Sequence, residues 1–179
     1  MSKFILSPGP TQCKPEFLET LAQPIMYHRC SDFHSLYKKT CDNLRQIIHL
    51  DGGDIFLLTS SGTGVMEASV SNFFNAGDHV LVISDGHFGN RFIEICESYN
   101  LNVSALKYDI GQTYDYGQVE AFINENPDLK GVFITHHETS SGVLNNLEPV
   151  GKLVAGLDDC IFVVDSISGL LAHPMQMSD

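Results

Sequence analysis

The first candidate for chemistry is a run of small residues at 59–64, Thr-Ser-Ser-Gly-Thr-Gly, which leads into an amphipathic stretch. A turn of this kind presents backbone N–H groups at the start of a helix, where the helix dipole also favours a phosphate. An ordinary helix N-cap has the same composition. The segment alone therefore leaves an anion site and a plain cap equally open. It is not a P-loop, because no Gly-Lys-Ser/Thr follows.

Three more segments carry polar or aromatic side chains directly after apolar runs. Phe88 lies between two glycines in Asp-Gly-His-Phe-Gly, where its ring could stack on a flat ligand, although a single Phe is more often a core residue. Residues 135–142, Thr-His-His-Glu-Thr-Ser-Ser-Gly, are dense in hydrogen-bonding groups. Asp165 ends the apolar run 160–164, so its carboxylate needs a partner, as an N-cap, in a salt bridge or in catalysis.

Taken together, these segments offer a phosphate cradle, an aromatic ring, a polar cluster and a buried carboxylate. Pyridoxal phosphate would use all four, because its ring nitrogen needs a carboxylate to hold its proton. Two other ligands fit less well. A dinucleotide would use Gly62-x-Gly64 and Asp85, but Glu67 occupies the third glycine position. A zinc deaminase would use His136-x-Glu138, but the sequence has no Pro-Cys-x-x-Cys.

The elements that must position these residues alternate along the chain. Short, often β-branched runs predict buried strands at residues 55–58, 80–83, 103–106, 132–134 and 161–164. Amphipathic stretches between them predict helices at residues 32–49, 66–74, 88–99, 116–124 and 147–157. This order predicts an α/β fold, a mostly parallel sheet with helices on both faces and ligands at the carboxyl ends of its strands. Pro8 and Pro10 predict an extended arm over residues 1–15.

Composition narrows the class of protein. The chain has 179 residues, 43% of them hydrophobic, which is enough for a folded core. Its net charge of −12 argues against partners such as nucleic acid or an anionic membrane surface. No apolar run approaches the ~20 residues of a membrane span. The five cysteines include no Cys-x-x-Cys, so neither a zinc site nor a disulfide framework is predicted, and a reducing cytoplasm fits best.

The order and spacing of these motifs resemble the class V aminotransferases, in particular the alanine/serine–glyoxylate and serine–pyruvate group. The resemblance runs over essentially the whole chain. Its motifs are Ser-Pro-Gly-Pro-Thr at 7–11, His-Arg at 28–29, Ser-Gly-Thr-Gly at 61–64, Gly-His-Phe-Gly at 86–89, His-Glu-Thr-Ser-Ser-Gly at 137–142 and Val-Asp-Ser at 164–166. It implies that residues 16–179 form the N-terminal part of a fold-type-I large domain that binds pyridoxal 5'-phosphate.

The resemblance also implies roles for individual residues toward that cofactor. Ser61, Gly62 and Thr63 would hold its phosphate through backbone and hydroxyl groups. Phe88 would stack on the pyridine ring, and Thr139 would form a hydrogen bond near the phenolic oxygen of that ring.

Three further roles follow from the same resemblance. Asp165 would be the catalytic carboxylate that pairs with the ring nitrogen, and Ile167 would pack under the ring. Gly9, in the N-terminal arm, would lie near the substrate. The expected reaction moves an amino group from alanine or serine to glyoxylate or pyruvate. The family also implies a homodimer.

One feature departs from the family. In the family, the lysine that forms the Schiff base lies a few tens of residues after the aspartate that corresponds to Asp165. In this sequence the last of the seven lysines is Lys152. We therefore expect the chain to be an incomplete portion of a longer enzyme, inactive alone, or a non-catalytic cofactor-binding half. A phosphonate transaminase, a desulfurase-like enzyme and a nucleotide-binding α/β module remain alternatives.

Overall fold

The computed structural model describes residues 4–173, which group into two units. The first unit contains the residues up to Leu57 together with His173, and the second is Leu58–Ala172. Helices α1 (Pro15–Leu21) and α2 (Ser31–Ile47) belong to the first unit. Residues 4–14 contain no helix or strand. The α2 N-terminus is capped by the Cys30 thiol, which accepts a hydrogen bond from the Phe33 N–H at 3.4 Å.

The second unit alternates helices and strands. In chain order they are α3 (Gly62–Phe73), β1 (His79–Ser84), α4 (His87–Ser98), β2 (Asn102–Lys107), α5 (Tyr116–Glu125), β3 (Gly131–Thr135), β4 (His137–Glu138), β5 (Val143–Leu144), α6 (Glu148–Val154) and β6 (Ile161–Asp165). Strands β4 and β5 form a small antiparallel ladder directly after β3. The other four strands form the main sheet.

The main sheet is parallel throughout, in the order β2-β1-β3-β6. Its register pairs Ile83 with Ile134 and Thr135 with Asp165, so β1, β3 and β6 end at the same level. The chain leaves β1 for β2 through α4 and crosses back to β3 through α5. The strand order therefore reverses between β1 and β3, and such a switch point opens a crevice where ligands bind in α/β sheets.

Two apolar clusters hold helices to the two faces of this sheet. One joins α3 and α4 to one face and contains Met66, Val70, Val80, Val82, Phe92, Cys96 and Phe133. The other joins α5 and α6 to the opposite face and contains Leu81, Ile83, Val119, Ile123, Val132, Ile134, Val150 and Val154. Consecutive residues of β1 and β3 divide between the clusters because successive strand side chains point to opposite faces.

These observations confirm the predicted fold class, including the parallel sheet with helices on both faces. The five predicted helices all form within a few residues of the expected bounds. Neither the short helix α1 nor the β4–β5 ladder was predicted. Within residues 4–173, no helix combines the length and the apolar character needed to cross a lipid bilayer.

The strand predicted at residues 55–58 was wrong. These residues have no strand structure, and Phe56 is 75% exposed. An apolar run becomes a strand only where a neighbouring strand offers backbone partners, and none of the described strands pairs with this one. The prediction that all strands are buried was also wrong for β2 and β6, which form the edges of the described sheet and are partly exposed.

Candidate functional site

The phosphate-binding segment predicted from the sequence forms the N-terminus of α3. The Ser61 hydroxyl caps the helix by accepting a hydrogen bond from the Gly64 N–H at 3.1 Å. The first N–H groups of an α-helix have no partner within the helix, so those of Gly62 and Thr63 are positioned to donate to an anion. A Cβ on Gly62 would lie 2.4 Å from the Ile167 Cδ1. Glycine therefore allows the start of α3 to approach the segment that follows β6.

Asp165 ends β6 with its two carboxylate oxygens in different environments. Oδ1 accepts a hydrogen bond from the Ile167 N–H at 3.0 Å. Oδ2 is buried and has no hydrogen-bond partner among residues 4–173. Burial raises the pKa of this carboxyl group, the Ile167 N–H opposes the rise, and the charge of Glu138 adds to it. A buried acceptor without a donor is uncommon in folded proteins, so Oδ2 is suited to receive a proton-bearing group of a ligand.

Glu138, the last residue of β4, connects the segment after β3 to the start of α4. Its side chain is completely buried. Oε2 accepts hydrogen bonds from the N–H groups of Phe88, at 2.9 Å, and Gly89, at 3.2 Å. The Phe88 side chain is half-buried, and the backbone N–H of the same residue is bound by Glu138.

Thr139 is bound to the segment that follows β6. Its hydroxyl lies 2.6 Å from the Ser168 hydroxyl, which also lies 2.8 Å from the His137 Nδ1. The Ser168 hydroxyl donates to the His137 carbonyl at 3.0 Å. The Ser168 hydroxyl thus links Thr139 to His137, and either hydroxyl of the Thr139–Ser168 pair can be the donor.

Asp85 follows β1 and is 1% exposed. Its Oδ2 accepts a hydrogen bond from the Asn145 side-chain amide at 2.8 Å, while its Oδ1 is buried without a partner among the described residues. Burial raises its pKa, the Asn145 hydrogen bond opposes that rise, and the charge of Glu138 adds to it.

The structure brings the predicted cofactor residues to one edge of the second unit. Ser61 is the N-cap of α3, and Gly62 and Thr63 are its first two residues. Phe88 lies in the first turn of α4, Thr139 follows β4, Asp165 ends β6, and Ile167 lies two residues further on. Contacts connect these segments: Gly62 with Ile167, Thr139 with Ser168, and Glu138 with Phe88. Gly9 belongs to the first unit, and its role toward the substrate stays a prediction.

These groups fit a ligand that combines a phosphate with a protonated ring nitrogen. The glycine-lined helix start suits the phosphate, and the unpartnered Asp165 Oδ2 suits an N–H on the ring. No set of three or more His, Cys, Asp or Glu side chains within residues 4–173 could hold a metal ion. The fold and this edge define an α/β domain built for a phosphorylated heterocyclic cofactor.

Comparison with known proteins identifies the family. The sequence profile of the aminotransferase class-V family matches residues 10–179, so the chain belongs to this family. Membership implies pyridoxal phosphate as the cofactor, in agreement with the fit. An uncharacterized aminotransferase from Methanocaldococcus jannaschii is 34% identical over 170 residues, which are 95% of this chain and 44% of that protein.

Two solved structures are also similar. A subgroup IV aspartate aminotransferase from Thermus thermophilus is 31% identical with a TM-score of 0.89, covering 98% of this chain and 49% of that one. An alanine–glyoxylate aminotransferase from Nostoc sp. is 25% identical with a TM-score of 0.91, covering 98% of this chain and 46% of that one. The chain thus spans about half the length of these proteins.

Sequence reasoning missed two residues that organise the site. It included Glu138 in a polar cluster, a family motif and a possible zinc motif without giving it a role of its own, and it did not single out Asn145. A carboxylate between runs of hydroxyl and imidazole side chains is a signal for a buried, hydrogen-bonded carboxylate. No comparable signal marks Asn145, because its partners come from three distant segments.

Proposed function

We propose that the protein is an aminotransferase that moves an amino group from a small amino acid, alanine or serine, to glyoxylate or pyruvate through pyridoxal phosphate. The observation that carries the proposal is the buried Oδ2 of Asp165, which has no hydrogen-bond partner in the described part of the chain and lies two residues before the Ile167 that contacts the helix start at Gly62. A phosphate site and a site for a protonated ring nitrogen are therefore joined through Ile167. Pyridoxal phosphate carries both groups on one ring.

The residues of this chain have separate tasks in the proposed reaction. The backbone at Gly62 and Thr63, with the Ser61 hydroxyl, binds the phosphate and so orients the ring. The Asp165 Oδ2 holds a proton on the ring nitrogen, and the pair offsets the cost of burying the carboxylate. When bound, the cofactor supplies an electron-withdrawing ring that stabilises negative charge developing on the substrate.

Other side chains keep the ring in place. Phe88 and Ile167 supply apolar surface that excludes water from the two faces of the ring. The Thr139 hydroxyl, which lies 2.6 Å from the Ser168 hydroxyl, forms a hydrogen bond near the phenolic oxygen of the ring. Gly9 lies near the substrate. The working form of the enzyme is a homodimer. The proposed substrates rest on the sequence resemblance and on the alanine–glyoxylate aminotransferase from Nostoc sp..

Cofactor binding by the 179-residue chain tests the site without requiring turnover. Pyridoxal phosphate is titrated into the wild type and into Asp165→Asn, with the exposed Asp109→Asn as a matched control. Because hydrogen bonds to charged groups are the stronger ones, we expect Asp165→Asn to weaken binding by about tenfold or more. The control should bind like the wild type. Equal binding by all three proteins would remove Asp165 from the site.

Amino transfer is tested in the protein as its cells make it. Alanine, serine and aspartate are offered as donors, each with glyoxylate or pyruvate as acceptor, and the 2-oxo acid product is measured. We expect alanine or serine with glyoxylate to be the best pair. Selective use of aspartate would move the proposed donor to an acidic amino acid, and absence of both cofactor binding and transfer would overturn the proposal.

A further inference from the structure

The loop after β3 binds the first turn of α4 through a buried carboxylate. Glu138 is 0% exposed and accepts four hydrogen bonds, two from the N–H groups of Phe88 and Gly89 and two from the N–H and hydroxyl of Ser140. A carboxylate at a helix N-terminus is favoured by the helix dipole. Each oxygen of Glu138 already receives two donors, so this carboxylate is a structural anchor within the chain.

Ser140 extends the contact by one residue. Its hydroxyl donates to Glu138 at 2.6 Å and accepts a hydrogen bond from the His87 N–H at 3.0 Å. The N–H groups of three consecutive residues, His87, Phe88 and Gly89, are therefore all bound by Glu138 or Ser140. We call Glu138 and Ser140 the α4 clamp.

Gly86 makes the clamp sterically possible. A Cβ at this position would lie 2.5 Å from the Glu138 Cγ, 2.6 Å from its Cδ and 2.7 Å from the Ser140 hydroxyl oxygen. Heavy atoms do not approach this closely, so any larger residue would push the clamp away from α4. Gly86 thus offers a way to displace the carboxylate without changing any charge.

We propose that Glu138 is the positioning residue that sets the Phe88 ring against the pyridine ring of the cofactor. This inference rests on the proposed function, because it needs a cofactor at the switch point between β1 and β3. The physical reason is local. The direction of the Phe88 side chain follows from its backbone, and that backbone is bound on its N–H by Glu138 and flanked by two further clamp contacts. Without the clamp, the first turn of α4 loses these bonds and the ring loses its fixed direction.

The test compares pyridoxal phosphate binding by Glu138→Gln and Gly86→Ala with that of the wild type. Glu138→Gln places an amide NH₂ against N–H donors, and Gly86→Ala moves the carboxylate but keeps its charge. Aromatic stacking depends on ring geometry, so we expect each variant to raise the Kd about fivefold to tenfold. Controls are Glu125→Gln, on the surface of α5, and Gly52→Ala, where a Cβ would have no heavy atom within 4 Å.

A double-mutant comparison separates positioning from general destabilisation. In a Phe88→Leu background no aromatic ring remains to be positioned, so Glu138→Gln should change the Kd less than about twofold. A second readout is the visible circular dichroism of the bound cofactor, which should decrease with the clamp variants and not with the controls. A variant that acts only by loosening the fold would weaken binding equally in both backgrounds.

The outcomes distinguish the two proposals. If the wild type binds pyridoxal phosphate and the clamp variants bind it equally well, or if the effects of Glu138→Gln and Phe88→Leu simply add, the positioning role is overturned while the proposed function stands. If the wild type does not bind the cofactor, the positioning role is overturned, and the proposed function is overturned as well when amino transfer is also absent. Should Glu138→Gln fail to fold, Gly86→Ala and Ser140→Ala, which retain the carboxylate, decide the matter by the same measurements.

Discussion

The side-chain amide of Asn145 donates a hydrogen bond to the buried carboxyl group of Asp85, 60 residues earlier in the chain, at 2.8 Å. The same nitrogen donates to the Thr135 carbonyl at 2.9 Å, and the Asn145 Oδ1 accepts from the Thr113 hydroxyl at 2.8 Å. One side chain thus joins the ends of β1 and β3 to the loop before α5. These are the segments that border the proposed cofactor site.

Replacing Asn145 with Ala should destabilise the protein strongly. The change leaves the Asp85 carboxyl group buried without the hydrogen bond that it receives on Oδ2. Breaking one side of a buried, charged hydrogen bond costs about 2–4 kcal/mol of unfolding free energy. Urea denaturation followed by circular dichroism measures the change. The exposed Asn124→Ala is the control, and a loss for Asn145→Ala no larger than the control's would contradict this role.

Asp85 should make the stability depend on pH. Its pKa is raised above the ordinary 3.8 mainly by burial, so the folded protein holds this proton more tightly than the unfolded chain does. Stability from this group is therefore full below pH 3.8 and is lost as the pH rises through the folded pKa.

Asp85→Asn has no carboxyl group to titrate and keeps an acceptor for Asn145. Above pH 4 we expect it to gain about 1 kcal/mol over the wild type, with the gain absent at lower pH. The unfolding free energies of both proteins, measured between pH 3 and pH 8, give this difference. The contribution of Asp165 cancels in the difference, because Asp165 titrates in both proteins. A difference that stays constant with pH would show that Asp85 is not the titrating group.

Two glycines in helices should respond oppositely to alanine. A Cβ on Gly89 would lie 2.7 Å from the Ser84 Cα, a backbone atom of β1 that cannot move aside easily. We expect Gly89→Ala to lower the unfolding free energy by about 2–3 kcal/mol. Gly151, inside α6, has its nearest neighbour at an ordinary 3.5 Å, so Gly151→Ala should raise it by about 0.5–1 kcal/mol. Equal effects of the two changes would contradict the close approach of α4 to β1.

The cysteines should differ in reactivity according to burial. Burial raises the pKa of Cys96 to about 12 and that of Cys160 to about 11, whereas Cys13 is exposed. Because the thiolate is the reactive form, iodoacetamide at pH 8 should modify Cys13 first and leave Cys96 and Cys160 unmodified. Peptide mass spectrometry assigns the modified sites, and modification in urea is the control in which every cysteine reacts. Early labelling of Cys96 in the folded protein would be inconsistent with this core.

The sequence by itself determined the order of the helices and of the four main-sheet strands in the second unit, because each depends on local apolar periodicity. The small-residue turn at 59–64, Phe88 and Asp165 were singled out as candidates for the same reason: each lies within five residues after an apolar run. Family membership could be expected from the spacing of these motifs. The wrong strand prediction at residues 55–58 shows the limit of local apolar patterns. A strand forms only beside a partner strand, and no local pattern specifies that partner.

The tertiary structure alone decided which residues organise the site. Glu138 and Phe88 are 50 residues apart, and Asp85 and Asn145 are 60 apart, so their hydrogen bonds exist only once the sheet register brings the strand ends together. Burial likewise appears only on folding, and it raises the pKa values of Asp85 and Asp165. The sequence placed polar groups at strand ends. The packed sheet determined their hydrogen-bond partners and their burial, because both are properties of three-dimensional proximity.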